Sequence, residues 1–403
     1  VNLARLSFSY IRRRRLDTLL NVLLLALGVA TIVVLLLFSR QFEENLTRDA
    51  QGIDLVVGAK GSPIQLILSG IYHMDVPTGN IPLADAQRIQ QHPAVAEAFP
   101  LALGDSYHGH RVVGTTHGYA EHYGGQIADG RLWEEELEVT LGARVAAAEG
   151  LGPGDEIVST HGFDPSGDSH GERPLRVVGV LRPTGTIVDR VVLTGVETIW
   201  HLHEHPPGEE ADAPPPAEEA DAGREITALL IRYSSPLAAA IFPRIVDSET
   251  ALQAASPAFE TARLFTLLGV GLDAVRTFGF LLIFAAGLSV FISLYNALKQ
   301  RRHDLAVLRT LGASRGKLLR HVLLEGVLLV AMGTAAGLIL GHVATEVLGS
   351  WAQAARQMEL TGRAWVPGEI WLVALALGVG VVAALLPAIQ AYRSDIARTL
   401  ARG

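Results

Sequence analysis

Apolar residues gather into four long runs, at 18–38, 276–298, 321–348 and 370–392, each with only sparse charge. Twenty-one residues at ~1.5 Å rise span ~30 Å, the thickness of a bilayer's hydrocarbon core, so each run predicts a transmembrane helix. Between the first two runs the pattern changes. Short β-rich segments at 110–115, 137–141, 156–160, 174–181, 187–194 and 226–233 alternate with helical patterns at 83–92 and around Gly142–Ala146. Such alternation predicts an α+β domain rather than a sandwich. Residues 43–50 extend the first span as a stalk helix, and the Ala-rich amphipathic stretch 241–274 predicts a second stalk feeding the second span. The segment 201–224, acidic and Pro/Ala-rich with almost nothing apolar to bury, predicts a mobile loop.

Composition accounts for these runs rather than adding to them. Hydrophobic residues make up 49% of the 403 positions, charged residues 18%, and mean hydropathy is +0.31. The net charge of −8 is unevenly spread. Arg12–Arg15 precede the first run; Lys299, Arg301, Arg302, Arg309, Arg315, Lys317 and Arg320 fill the loop 299–320; Arg393, Arg398 and Arg402 follow the fourth run. The loop 349–369 has only Arg356 and Arg363, opposed by Glu359 and Glu369. By the positive-inside rule both termini and the 299–320 loop are cytoplasmic, and the whole of 39–275 is extracytoplasmic. The first run is too long for a signal-peptide core and lacks a clear cleavage site, so it is read as a retained span behind a basic elbow at 1–17. No basic tract with interleaved aromatics stands outside the membrane flanks, which argues against nucleic-acid binding. The absence of cysteine excludes disulfides and thiolate metal sites.

The segment from Arg301 to Arg315 carries the most organised pattern. Leu305, Leu308 and Leu311 make a short apolar stripe flanked by Arg301, Arg302, Asp304 and Arg309. Gly312 then permits a turn, and Ser314 is positioned to cap the next helix. This predicts an amphipathic helix lying across the cytoplasmic membrane face. The stretch resembles the signature of MacB/FtsX/LolC-type (type VII) ABC transporter permeases, with His303-Asp304 standing where that family has Arg-Glu. Three further stretches resemble the same family: Leu151-Gly152-Pro153-Gly154-Asp155-Glu156-Ile157, Arg176-Val177-Val178-Gly179-Val180-Leu181, and Leu386-Pro387-Ala388-Ile389-Gln390-Ala391. The tail departs from it, because Asp395-Ile396 lacks the family's proline.

The resemblance implies four transmembrane helices and a large MacB-like α+β periplasmic domain inserted between the first two. It also implies a coupling helix at 301–311, followed by Gly312, docked on a separate ABC ATPase, with ATP and magnesium bound there and no cofactor in this chain. It further implies a homodimer or a pair with a paralogous permease, in the bacterial inner membrane, transmitting motion for lipoprotein release or for export of a peptide or small molecule. A periplasmic adaptor or lipoprotein partner and membrane lipids complete the expected contacts. The alternatives are an FtsX-like regulator of a cell-wall hydrolase and a metal-binding membrane receptor.

Motifs for other chemistry are missing. There is no GxxxxGK[ST] phosphate loop, so ATP hydrolysis is expected in a partner, and HExxH does not occur. The ionisable residues of the third span, Glu325, His342 and Glu346, lie toward its ends rather than at the midplane, unlike those of an ion-coupled carrier. Gly333, Gly337 and Gly341 form a double small-xxx-small repeat suited to close helix packing. The extracytoplasmic region is rich in histidine. His108 with His110, and His201, His203 and His205 alternating as on an extended strand, are candidate ligands for a transition metal. The competing reading is a solvated polar surface.

Overall fold

The computed structural model describes residues 15–162, 173–203, 223–300, 310, 314–354 and 360–393. It divides into two compact units, one formed by residues 1–43 with 268–403 and the other by 44–267.

The first unit is a helical bundle. Four helices are long and apolar enough to cross a membrane: α1 (Arg15–Asp49), α8 (Pro257–Gln300), α9 (Arg315–Ala354) and α10 (Gly368–Arg393). The intervening helices, α2 to α7, belong to the second unit. Glycines set how closely the spans approach. A Cβ at Gly333, Gly337 or Gly341 would meet Leu25, Val29 and Val33 at 2.8, 2.6 and 2.6 Å. The i, i+4 ridge of α1 therefore lies in a glycine groove of α9, a packing driven by van der Waals contact because lipid removes the hydrophobic incentive. Residue numbers rise together along this pair, so α1 and α9 run parallel. Gly28 faces Ile283 and Gly279 faces Ile32, which makes α8 antiparallel to α1; Gly326 faces Ala384 and Gly380 faces Val330, which makes α10 antiparallel to α9. Arg15, Gln300, Arg315 and Arg393 consequently lie at one end of the bundle. At the opposite end Trp351, Trp365 and Trp371 are exposed, as expected of an interfacial aromatic belt.

The second unit is built on a mixed sheet ordered β13-β1-β12-β3-β4-β10-β6-β9-β5, with β7 paired to β9 and β8 to β3. The strands are β1 (Leu55–Ala59), β2 (Ile81–Pro82), β3 (Val95–Tyr107), β4 (His110–Thr115), β5 (Ile127–Gly130), β6 (Glu138–Leu141) and β7 (Glu156–Ile157). They continue with β8 (Thr160–His161), β9 (Leu175–Leu181), β10 (Val192–Gly195), β11 (Glu225–Ile226), β12 (Ala228–Tyr233) and β13 (Leu252–Ala255). β2 and β11 form a separate two-stranded ladder. Helices α2 (Pro63–Gly70), α3 (Leu83–Gln90), α4 (His117–His122), α5 (Ala143–Glu149), α6 (Val196–His203) and α7 (Pro236–Glu249) connect them. Leu55, Val57, Val112, Val139, Leu141, Val192 and Leu229 of the strands pack in one core with Ile89, Val145, Ile199 and Phe242 of the helices.

Several expectations change. The second stalk does not begin at 241: α7 ends at Glu249, β13 pairs with β1, and α8 starts only at Pro257. The amide of Ala254 donates to the Asp247 carboxylate and that of Leu252 to the Thr250 hydroxyl, so local hydrogen bonds and an open sheet edge override the helix propensity of an Ala-rich stretch. The strand expected over 187–194 is a 3₁₀ turn at Ile187–Arg190 followed by β10. Its cause is Asp189, whose carboxylate accepts from the amides of Thr184 and Gly185 and from the Thr184 hydroxyl. Residues 201–203 are the last turn of α6 rather than loop or strand, and 204–222 lie outside the described residues. α9 runs past residue 348 to Ala354, and α10 continues through Pro387 to Arg393 instead of being interrupted there.

Candidate functional site

The stalk ends lie within the second unit, and one tyrosine joins them. Tyr72 follows α2 and is 2% exposed. Its hydroxyl lies 3.3 Å from the Leu46 carbonyl in the last turn of α1 and 3.0 Å from the Thr261 hydroxyl in the first turns of α8. Burial pushes this phenol up to about 12, so it remains a neutral donor. A helix C-terminus leaves its last carbonyls without intrahelical partners, and here side chains of the outer unit capture them. Tyr123 donates to the Asp49 carbonyl at 2.7 Å, His122 Nε2 lies 2.9 Å from the Gln51 carbonyl, and Arg48 reaches back to the Gly185 carbonyl at 3.1 Å. The buried Asp49 carboxylate pairs with Arg190, beside the turn that Asp189 closes. Behind this junction His73 Nδ1–H donates to the Ser69 carbonyl (3.1 Å), which leaves Nε2 to accept from Tyr119 (3.2 Å). Desolvation lowers His73 to about 3 and keeps it neutral. These hydrogen bonds tie the ends of α1 and α8 to one another within the second unit.

In the bundle, the ionisable groups near the outer end of α9 have structural partners. His342 lies 2.5 Å from the Gly362 carbonyl and 3.0 Å from the buried Glu369 carboxylate. Glu346 accepts from the Gly362 amide and the Thr361 hydroxyl, and Gln41 of α1 makes two further bonds to Thr361. These groups pin the 360–366 turn. Gly333, Gly337 and Gly341 face α1 as described above. The docking-helix residues Arg301, Arg302, Asp304, Leu305, Leu308, Arg309, Leu311 and Gly312 lie outside the described residues.

The candidate metal-binding histidines do not form a single group. His108 and Gly109, at φ 47° and 85°, form the two central residues of a tight hairpin turn between β3 and β4. From it His108 pairs with Glu149 at 2.7 Å, and His110 Nε2 approaches the same carboxylate at 3.7 Å. His201 and His203 are two residues apart on a helix and therefore diverge, unlike residues on a strand. His201 faces Glu136 at 3.4 Å, whereas His203 meets Asp105 and His161. His205 lies outside the described residues. Sequence reasoning missed Tyr72, Thr261, Asp105 and His161, whose roles arise from contacts between distant segments and leave no local motif.

The model for the MacB-like periplasmic core domain matches residues 18–239, more than half the chain, and that for the FtsX-like permease C-terminal domain matches residues 276–396. The chain belongs to the MacB/FtsX-like family of type VII ABC transporter permeases. Among solved structures, the periplasmic region of MacB from Actinobacillus actinomycetemcomitans is similar at 12% identity, covering 54% of this chain and 97% of that one, with a TM-score of 0.34. The extracellular domain of the noncanonic ABC-type transporter YknZ from Gram-positive bacteria is similar at 12% identity, covering 50% and 98%, with a TM-score of 0.30. No curated protein matches. For a MacB/FtsX-like permease of this kind, four membrane helices with an α+β domain between the first and second are the family architecture, and an ABC ATPase is the implied partner.

Proposed function

We propose that this permease is the motion-transmitting subunit of a MacB-like ABC system in a bacterial inner membrane, with both termini cytoplasmic. ATP and magnesium bind a separate ATPase, and this chain catalyses nothing itself. Closure of the ATPase pushes on the amphipathic segment 301–312, and the force passes along α8 and α1 into the outer domain. The observation that carries the reading is Tyr72, whose single hydroxyl meets both stalks inside the outer unit. A domain so attached follows its stalks. The glycine-packed bundle, with its outer charges committed to a turn, supports a lever more than a conduit. The work done outside is release of a lipoprotein or export of a peptide or small molecule by a dimer of such subunits, together with a periplasmic adaptor. The other lever reading, control of a cell-wall hydrolase, differs in its partner and not in this machinery.

The test is co-purification of the detergent-extracted chain with the ATPase encoded beside it, comparing wild type with Leu305→Glu/Leu308→Glu. Loss of the ATPase from a double variant that remains folded supports the docking helix. Retention of the ATPase by the variant overturns that assignment, and failure of wild type to bind any ATPase overturns the lever.

A further inference from the structure

Asp105, His161 and His203 meet on the outer domain, and their meeting is built by the fold. Strand β8 pairs antiparallel with β3 so that His161 stands directly opposite Asp105, which puts both side chains on one face. The pairing is held by the Gly162 amide on the Gly104 carbonyl (2.7 Å) and by the Ser106 hydroxyl on the Gly162 carbonyl (2.5 Å). His203, the last residue of α6, comes from the other side. Gly104 leaves room between them: a Cβ there would touch His203 Cε1 at 3.4 Å and His161 Cε1 at 3.9 Å.

The three inward atoms form a nearly equilateral triangle. Asp105 Oδ1 lies 3.3 Å from His203 Nε2 and 3.5 Å from His161 Nδ1, and the two ring nitrogens are 3.3 Å apart. Ligands at the corners of a tetrahedron with bonds of 2.0–2.1 Å are separated by about 3.3–3.4 Å, whereas an octahedron with those bonds brings neighbours to about 2.9 Å. The triangle matches one face of a tetrahedral site. The outer contacts match too. His203 Nδ1–H donates to the Ile199 carbonyl at 2.8 Å, which fixes the tautomer and turns the Nε2 lone pair inward. The Ser159 hydroxyl donates to Asp105 Oδ2 at 3.1 Å and holds the carboxylate in place. Asp105 is fully buried, while the His161 side chain is 59% exposed, so the fourth corner opens to solvent.

We infer that Asp105, His161 and His203 bind one Zn²⁺ ion, with water at the fourth position. Cu²⁺ would compete, as the affinity order of first-row metals requires, and Mg²⁺, which wants oxygen ligands in an octahedron, would not. The ion adds to the neutralisation of the buried Asp105 carboxylate to which His203 and Arg111 contribute. Hydrogen bonding to Asp105 raises His203 above its usual range and outweighs burial. The bound ion ties the end of α6 to the β3–β8 pair within the outer domain.

The experiment uses the full-length, tag-free protein in detergent, stripped with chelator and titrated with ZnCl₂ against a chromophoric competitor. About one ion per chain is expected. His161→Gln and His203→Gln each weaken binding at least about tenfold, and His108→Gln and His201→Gln leave it unchanged. Apo melting midpoints equal to wild type establish that the variants fold. Equal affinity in wild type and the His161→Gln/His203→Gln double variant overturns the site. Should a variant misfold, zinc K-edge absorption on the wild type decides: four nitrogen and oxygen ligands near 2.0 Å with imidazole scattering support it, and a six-oxygen shell overturns it.

Discussion

Tyr72 and Glu138 show how single side chains stabilise this outer domain, Tyr72 through partners far away in sequence and Glu138 mainly through near ones. Tyr72→Phe removes the hydroxyl shared by Leu46 and Thr261 and leaves the ring in place. It should lower unfolding stability by about 1 kcal/mol, read from the denaturation midpoint. Glu138 on β6 is 1% exposed and accepts from Arg131 at 2.6 Å through both oxygens, from Arg176 at 2.5 Å, and from the amides of Glu134 and Glu135. Arg131 above all holds its carboxyl down at about 2. Both arginines are about half exposed, which screens the interaction, so Glu138→Gln should cost about 2 kcal/mol rather than the larger loss of a fully buried pair. The pH signs follow from where each proton sits. Glu138 is depressed when folded, so its contribution is complete above 4.5 and is lost as pH falls toward 2. His73 stays neutral when folded but takes a proton when unfolded, so it destabilises progressively as pH falls from 6.5 toward 3. Stability curves of Glu138→Gln and of His73→Gln should each be flatter than wild type across the corresponding window.

At the scale of elements, the membrane helices were legible because a long apolar run has few other fates, and the glycine repeat because only small side chains permit such approach. Gly337→Val should disrupt the α1–α9 contact most, since a Cβ there already meets Val29 at 2.6 Å and the Ala26 carbonyl at 2.8 Å, and backbone cannot move aside as a side chain can. Gly378, with nothing within 4 Å, should accept valine; thermal unfolding of the two variants in detergent separates them. What sequence could not give was pairing between distant segments. β13 hides in an Ala-rich stretch because its stabilisation comes from β1, nearly two hundred residues earlier. The triad was half visible as a histidine-rich region, but His203 was grouped with its sequence neighbours rather than with Asp105 and His161, which only the β3–β8 register and the end of α6 bring to it.

For the whole molecule, the family assignment and the topology converge. Helix directions read from the glycine contacts put Arg15, Gln300, Arg315 and Arg393 at one end of the bundle, the end that the proposed orientation places in the cytoplasm. The proposed lever needs a drive at that end, and within the second unit Tyr72 joins the ends of α1 and α8. The chain contains no cysteine, so introduced ones label cleanly. The most direct test of the account places spin labels at Arg88→Cys on the outer domain and Trp371→Cys on the bundle, both exposed, in a spin-diluted complex with the ATPase. Pulsed dipolar distances should shift when ATP binds and return after hydrolysis, and Leu305→Glu/Leu308→Glu should abolish the shift. A distance distribution that stays unchanged while the ATPase turns over would contradict the lever.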